Sequence, residues 1–368
     1  MSDLSKLDKN FIIEEAIDQP DVVWHNVRTA DVDIYGLYNP RTEEIFRRMP
    51  ADAAEATSKS VATLAQYTAG GRVRFTTDSE YVAIRMTRPL RKTIMSHITY
   101  VGCSGFDIYQ KTGSDYIYSG TFKPPAKRFE GYESLLHMEG KKFQDVRKMR
   151  DITINMPLYD RVTDLWIGLQ KDAVLMPGGK YKYEKPVVYY GNSVTQGGCA
   201  CRPGTTDFAM LSRELDFDYV NLGFSGSGKG ELPMAEYVAN MDMSVFVMDY
   251  DENSPIEDLE FTHRRMYDMV REKHPKVPII MNCRRGLELK PSEQKETWAR
   301  RDIILKNFQR AKDLGDDRVF FLDSREIFKE FGENNCFVDG AHPTDLGFWL
   351  IARAMKPILK HCLELSET

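Results

Sequence analysis

The chain has 368 residues, 42% of them hydrophobic, which is enough for two domains with packed cores. Its net charge of −5, with Lys and Arg dispersed among acids, argues against nucleic acid or an anionic membrane as partner. No apolar run reaches the about 18 residues of a membrane span, and the N-terminal MSDLSKLDKN lacks a signal peptide's apolar centre. With six cysteines and no disulfide-framework spacing, these features predict a cytoplasmic protein.

The cysteines raise the question of a metal site. Cys199 and Cys201 form a C-x-C pair, whereas zinc sites usually combine C-x₂₋₄-C spacing with a second ligand pair. The remaining cysteines are isolated, and no histidine has a matching spacing. The sequence therefore disfavours a metal site and predicts two free thiols here.

The first half has the pattern of short strands separated by turns. Residues 71–86 (GRVRFTTDSEYVAIRM), 105–122 and 151–169 each alternate apolar and polar positions on both sides of a turn, which predicts three antiparallel strand pairs. Many short strands without long helices predict a β-sandwich of jelly-roll-like type. Alanines at helical spacing predict one helix within residues 50–66.

The second half has a different periodicity. The Gly/Lys/Pro-rich segment PGGKYKYEKP follows Met176 and predicts a boundary between domains of residues 1–178 and 185–368. Beyond it, five apolar strand patterns alternate with helical patterns, which predicts a doubly wound, flavodoxin-like parallel sheet with its ligand site at the carboxyl ends of the strands. The predicted strands are 187–190, 219–222, 245–249, 277–281 and 319–322, and the predicted helices include 256–273, 292–314 and 345–363.

A serine follows the first of these strands, in the stretch YYGNSVTQGG of residues 189–198. Ser193 has a glycine two positions before it, and a serine on a sharp turn after a strand is a candidate nucleophile. An ordinary turn serine or helix cap is the alternative.

The glycine-rich segment NLGFSGSGKGE, residues 221–231, follows the second strand. Gly223, Gly228 and Lys229 nearly match a nucleotide-binding loop, but Gly230 stands where a hydroxyl should bind Mg²⁺. A nucleotide-dependent phosphotransferase is therefore disfavoured. The glycines could instead bring backbone N–H groups to a developing anion, or form a plain loop.

Two further segments end at the same predicted edge. Asn253 follows the third strand. An Asn at this place either stabilises a turn or donates a hydrogen bond to an oxyanion through its side-chain amide. In DGAHPTDLGF, Asp339 and His342 lie three residues apart before the last helix, so one loop can present an imidazole and the carboxylate that orients it. Of the seven histidines, only His342 has a nearby carboxylate, lies in a loop before a helix and is predicted at the same sheet edge as Ser193.

These segments resemble a known superfamily. GNSVTQG, the stretch 221–226, Asn253 and the DGAHP of residues 339–343 resemble the four sequence blocks of SGNH (GDSL-like) hydrolases. The longer GNSVTQGGCACRPG and DGAHPTDLGF resemble a bacterial subgroup with an N-terminal β-sandwich, whose GxDLY signature corresponds to GFDIY at 105–109, with Ile108 for Leu. The resemblance spans roughly residues 20–360 and departs at Asn192, where the superfamily usually has Asp.

The resemblance implies an SGNH hydrolase fold and a serine esterase that needs no cofactor and no metal. Ser193 would be the nucleophile, His342 the general base and then acid, and Asp339 the orienting carboxylate. The oxyanion hole would consist of the backbone N–H groups of Ser193 and Gly226 and the side chain of Asn253.

Within this group, acetylesterases acting on mannan-type oligosaccharides are the nearest resemblance, so an acetylated oligosaccharide is the expected substrate. The sandwich resembles carbohydrate-binding modules, and 18 Tyr and 4 Trp suit stacking on sugars, although most aromatics must fill cores. A lipid or thioester acylhydrolase and a non-catalytic carbohydrate-binding protein are the alternatives. The sugar, the acylated position and a monomeric or homodimeric state stay open.

Overall fold

The computed structural model describes residues 17, 19–90, 95–126, 129–138, 147–283 and 292–368. Its first half contains two antiparallel sheets. One has the strand order β1-β9-β4-β7, and the other has the order β10-β3-β8-β5-β6 with β2 paired to β3. The strands are β1 (Val22–Asn26), β2 (Asp33–Tyr35), β3 (Arg72–Thr77), β4 (Tyr81–Thr87), β5 (Phe106–Thr112), β6 (Asp115–Phe122), β7 (Gly131–His137), β8 (Arg150–Asn155), β9 (Asp164–Gln170) and β10 (Leu175–Pro177).

The two sheets form the predicted sandwich, because apolar side chains from both meet in one buried cluster. Phe75 and Ile154 come from one sheet, and Ile84 and Ile167 come from the other. Alternating apolar positions of the strands enter this core. In β3 the opposite face is buried as well, since Arg72 and Arg74 are 2% and 1% exposed.

Two of the three predicted strand pairs are wrong. Only β5 and β6 pair with each other as predicted. Strand β3 pairs with β8, whereas β4 pairs with β9 and β7 in the other sheet, so the chain crosses between sheets at residues 78–80. Strands β8 and β9 likewise lie in different sheets. Alternation identifies the buried face of a strand but does not identify its partner.

The helix predicted within residues 50–66 is two shorter helices, α1 (Ala51–Thr57) and α2 (Lys59–Leu64). Ser58 separates them with extended backbone angles, and its side chain accepts a hydrogen bond from the Val61 N–H, capping α2. A further short helix, α3 (Tyr100–Ser104), was not predicted.

The second half is the predicted parallel sheet, with strand order β12-β11-β13-β14-β15. Every neighbouring pair is parallel. The strands are β11 (Tyr183–Gly191), β12 (Phe217–Gly223), β13 (Val245–Asp249), β14 (Ile279–Asn282) and β15 (Val319–Leu322). The predicted linker contributes residues to both β10 and β11, and the division into domains at residues 178 and 185 stays a prediction.

Helices cover both faces of this sheet. Along β11, Val187 and Tyr189 face one apolar cluster while Val188 and Tyr190 face the other, which explains its continuous apolar pattern. None of the helices within the described ranges combines the length and apolarity needed to cross a membrane. The helices are α4 (Ser193–Gln196), α5 (Asp207–Leu215), α6 (Leu232–Ala239), α7 (Ile256–Lys273), α8 (Gln294–Asp313), α9 (Glu333–Cys336) and α10 (Asp345–Ser366).

Candidate active site

Ser193 begins α4 directly after the end of β11, at the carboxyl edge of the parallel sheet. The turn is tight because Gly191 has no side chain: a Cβ there would clash with the Thr195 side chain and the Asp249 carbonyl oxygen. Gly228 similarly lies against the backbone of Gly191. These glycines are required by close packing, which fits a sharp nucleophile turn better than a phosphate loop.

Hydrogen bonds fix the turn around Ser193. The Asn192 side chain accepts from the Val194 N–H at 2.8 Å, and the Asn192 N–H donates to the Thr195 hydroxyl at 3.2 Å. Thr195 donates in turn to Asp249 Oδ2 at 2.8 Å, and Asn221 Nδ2 donates to the Thr195 carbonyl at 2.6 Å. Asn192 thus caps the turn as an aspartate would, since either side chain supplies the accepting oxygen.

The structure joins Ser193, His342 and Asp339 in one hydrogen-bonded chain. His342 Nε2 lies 2.9 Å from Ser193 Oγ, and His342 Nδ1 lies 2.8 Å from Asp339 Oδ2. Asp339 Oδ1 accepts from the backbone N–H groups of His342 at 2.9 Å and Ala341 at 3.1 Å. This geometry allows proton transfer from the hydroxyl to the imidazole.

Asp339 carries its negative charge over a wide pH range. Burial alone would raise its pKa, but hydrogen bonds from the His342 imidazole and from the backbone N–H groups of His342 and Ala341 outweigh it and lower the pKa to about 2. The carboxylate can therefore hold the imidazole in one orientation and stabilise its protonated form.

The candidate oxyanion groups lie on neighbouring loops. Gly226 has a φ of 68° with open space where a Cβ would be, and the N–H of its neighbour Ser225 donates to Gln196 Oε1 in α4 at 3.0 Å. Asn253 follows β13, and its Oδ1 is buried without a hydrogen-bond partner. Among the described residues, none accepts a hydrogen bond from its amide NH₂. Such an unpaired amide is available to a ligand.

Residues of the first half of the chain also form hydrogen bonds to the segments that carry this site. The Tyr159 hydroxyl donates to the Ser193 carbonyl at 3.1 Å. Arg48 is fully buried and donates to the Asn221 carbonyl at 3.0 Å and the Gly223 carbonyl at 2.6 Å, which supports the end of β12. Burial lowers the pKa of Arg48 to about 9. Sequence reasoning missed both residues because neither belongs to a local motif.

Asp107, the acid of the GFDIY motif, is fully buried and reaches the loop that follows α4. Its Oδ2 accepts from Arg202 and from the Gly204 N–H, each at 2.8 Å, and its Oδ1 accepts from Asn155 at 2.8 Å. The sequence contains the motif but does not indicate which residues Asp107 contacts. In the structure, this carboxylate joins the sandwich to the loop after the serine.

A cavity of about 490 Å³ lies beside the site, between the two halves. Tyr159, which contacts the Ser193 carbonyl, and Ser225, which precedes Gly226, belong to its wall. Arg88 and Asp160 form a buried ion pair there at 2.7 Å. The other lining residues are Leu64, Tyr67, Pro89, Leu90, Met95 and Arg161.

The C-x-C cysteines are both free thiols, as are the other described cysteines. The Cys199 thiol donates to the His97 carbonyl oxygen at 3.4 Å, whereas Cys201 lies 3.8 Å from the Thr205 hydroxyl. Burial raises the pKa of Cys199 to about 12 and that of Cys201 to about 11. Neither thiol is an activated nucleophile.

Residues 184–360 match the GDSL-like lipase/acylhydrolase family. The second half of the chain belongs to this family. Residues 22–175 match the N-terminal domain of SGNH-hydrolase-type esterases, which accounts for the GFDIY motif. Together the two matches identify an SGNH-type esterase. No curated protein matches the chain.

Solved structures share the fold of this esterase over nearly its whole length. A protein from Bacteroides ovatus described as a GDSL-like lipase has 24% identity and a TM-score of 0.82, covering 93% of this chain and 98% of its own. A salicylyl-acyltransferase from a tetracycline biosynthetic pathway has 17% identity and a TM-score of 0.73, with coverage of 93% and 98%. A family two carbohydrate esterase from Cellvibrio japonicus has 11% identity and a TM-score of 0.57, with coverage of 94% and 98%.

Proposed function

We propose that this esterase removes acetyl groups from acetylated carbohydrate, with mannan-type oligosaccharides as the expected substrates. The observation that carries the proposal is the hydrogen-bonded chain from Asp339 through His342 to Ser193, beside a cavity between the two halves. Ligand sites favour such interfaces.

The first half of the reaction forms an acetyl-enzyme. Ser193 Oγ attacks the ester carbonyl carbon while its proton passes to His342 Nε2. The carbonyl oxygen becomes an oxyanion that accepts hydrogen bonds from the N–H groups of Ser193 and Gly226 and from the Asn253 amide. Collapse of this intermediate breaks the bond to the sugar oxygen, which leaves with the proton held by His342.

The second half regenerates the enzyme. Water attacks the acetyl carbonyl carbon and gives a proton to His342, which returns that proton to Ser193 Oγ as acetic acid leaves and ionises to acetate in the solvent. Asp339 stays ionised throughout, because its pKa lies at about 2. Every proton is returned, so the cycle consumes water and ester alone.

The surroundings of Ser193 favour a short acyl group and a polar alcohol. The loops GGCACRPGTTD, GSGKGE and DENSP offer little apolar surface to a long acyl chain, and each CH₂ would contribute up to about 0.8 kcal/mol only where such surface meets it. The cavity wall combines the half-buried Tyr67 with the half-buried Arg161, which suits a hydroxylated ring. The carbohydrate esterase from Cellvibrio japonicus shares the fold, as does an acetyl xylan esterase from Butyrivibrio proteoclasticus.

A product-resolved assay tests this proposal. The enzyme is given p-nitrophenyl esters from acetyl to octanoyl, and then defined acetylated mannan-type oligosaccharides, with Ser193→Ala as the control. We expect kcat/KM to fall steeply with acyl length and to be higher for the oligosaccharides than for simple alkyl acetates. A rise from acetyl to octanoyl would instead favour a lipid or thioester substrate. Sugar binding without any turnover would favour a non-catalytic carbohydrate-binding protein.

A further inference from the structure

Three side chains with metal-binding atoms meet beside Ser193, although they are far apart in the sequence. The donor atoms of His97, Cys199 and His342 lie within 4.8 Å of one another. The His97 and His342 rings are 5.3 Å apart, and the Cys199 thiol points to the His97 backbone. One sulfur and two imidazole nitrogens form a ligand set that suits Zn²⁺.

The backbone at Cys199 gives a second observation. Its φ of 72° lies in the left-handed region, where glycine is the least costly residue. Gly197 and Gly198 precede it, so the turn itself is built from glycine. A cysteine in this conformation costs free energy that a glycine would not, and such strained residues cluster at functional sites.

We propose that His97, Cys199 and His342 bind Zn²⁺ and that the bound ion stops the esterase. In a tetrahedral zinc site, Zn–S and Zn–N bonds place ligand atoms about 3.3–3.6 Å apart. Side-chain adjustments of roughly 1 Å therefore close the site. The Cys199 thiol loses its proton to solvent and binds as thiolate, the two imidazoles donate lone pairs, and water takes the fourth position.

Inhibition follows from the position of His342. Its Nε2 faces Ser193 Oγ and its Nδ1 faces Asp339 Oδ2. A zinc ion bound at either nitrogen breaks one of these hydrogen bonds, so the imidazole cannot hold zinc and move the serine proton together. This inference goes beyond the proposed function, whose assay supplies one of the two readouts.

The first experiment is a zinc titration of p-nitrophenyl acetate hydrolysis. The wild type, Cys199→Ser, His97→Asn and the matched control Cys201→Ser are each normalised to their own zinc-free rate. We expect the half-inhibiting zinc concentration to rise on the order of 10–100-fold in Cys199→Ser and His97→Asn, and to stay unchanged in Cys201→Ser. A Cys199→Ser variant as sensitive as the wild type, or a wild type insensitive to excess zinc, would overturn the proposal.

The second experiment measures binding without turnover. Co²⁺ is added to Ser193→Ala, and the thiolate-to-cobalt charge-transfer absorption is recorded. We expect the band in Ser193→Ala and its loss when Cys199→Ser is added to that variant. The absence of the band from Ser193→Ala would refute the metal site. A band in Ser193→Ala together with a wild type that hydrolyses no ester would keep the metal site and refute the proposed function.

Discussion

The serine turn and the histidine loop, residues 338–342, meet at the hydrogen bond between Ser193 and His342. Hydrogen bonds to distant segments fix the serine turn, whereas hydrogen bonds within the loop fix the histidine. The serine turn, residues 191–197, is buried and is hydrogen-bonded to two neighbouring strands, since Thr195 donates to Asp249 and Asn221 donates to Thr195. It also accepts a hydrogen bond from Tyr159 of the first half. Among the described residues, the hydrogen bonds of residues 338–342 stay within that loop, apart from the one between His342 and Ser193.

The two segments also differ in solvent exposure, with the serine turn more buried than the histidine loop. Ser193 is 9% exposed, whereas the side chain of Asp339 is 38% exposed. Buried, hydrogen-bonded backbone around the nucleophile supports the tight turn. The histidine loop keeps the imidazole and its carboxylate together through hydrogen bonds within the loop. The difference predicts that remote substitutions disturb the serine turn and that acid disturbs the histidine loop.

The largest effect is expected where the two segments meet. Ser193→Ala and His342→Ala should each lower kcat by about 10⁵–10⁶, because residues that act as one unit lose activity together. Asp339→Asn should cost as much or less. Far-ultraviolet circular dichroism and thermal unfolding should match the wild type. More than a few percent of residual activity in Ser193→Ala would remove the serine from its role.

Asn253 extends the comparison to a third segment. Asn253→Ala should lower kcat by about 10²–10³ with little change in KM, because an oxyanion contact strengthens only in the transition state. Steady-state kinetics on p-nitrophenyl acetate measure both parameters. A raised KM at constant kcat would place the Asn253 amide in substrate binding instead.

The same contrast explains how much could be predicted from the sequence. Asp339 and His342 lie in one short motif, and the strand before Ser193 is a plain apolar run, so the members of the hydrogen-bonded chain could be predicted. The parallel sheet followed because each βα unit is local. Pairing in the sandwich, the Tyr159 contact and the meeting of His97 with Cys199 depend on distant segments, and no periodicity encodes them.

Asp107→Asn tests whether the sandwich supports the serine turn. The change leaves Arg202 facing a neutral amide, and breaking a buried ion pair costs about 3 kcal/mol in the free energy of unfolding. We expect kcat to fall by about tenfold, since the loop that follows the nucleophile loosens. Urea unfolding and kinetics measure the two effects. The control is Asp151→Asn, whose carboxylate accepts from Thr76 at 2.6 Å away from that loop. Equal losses in both variants would contradict a specific support.

The smallest expected effect is the loss of unfolding free energy at low pH when Asp339 in the histidine loop becomes protonated. The pKa of Asp339 is lowered from 3.8 to about 2 in the folded chain, so the unfolded chain binds more protons between these values. Stability from Asp339 is therefore fully present above pH 4 and is lost as the pH falls towards 2. Because the side chain is 38% exposed, the contribution is small. Urea unfolding of the wild type and Asp339→Asn at stepped pH should show their difference shrinking below pH 4. A difference that stays constant from pH 6 to pH 2 would show that the ionised carboxylate does not stabilise this loop.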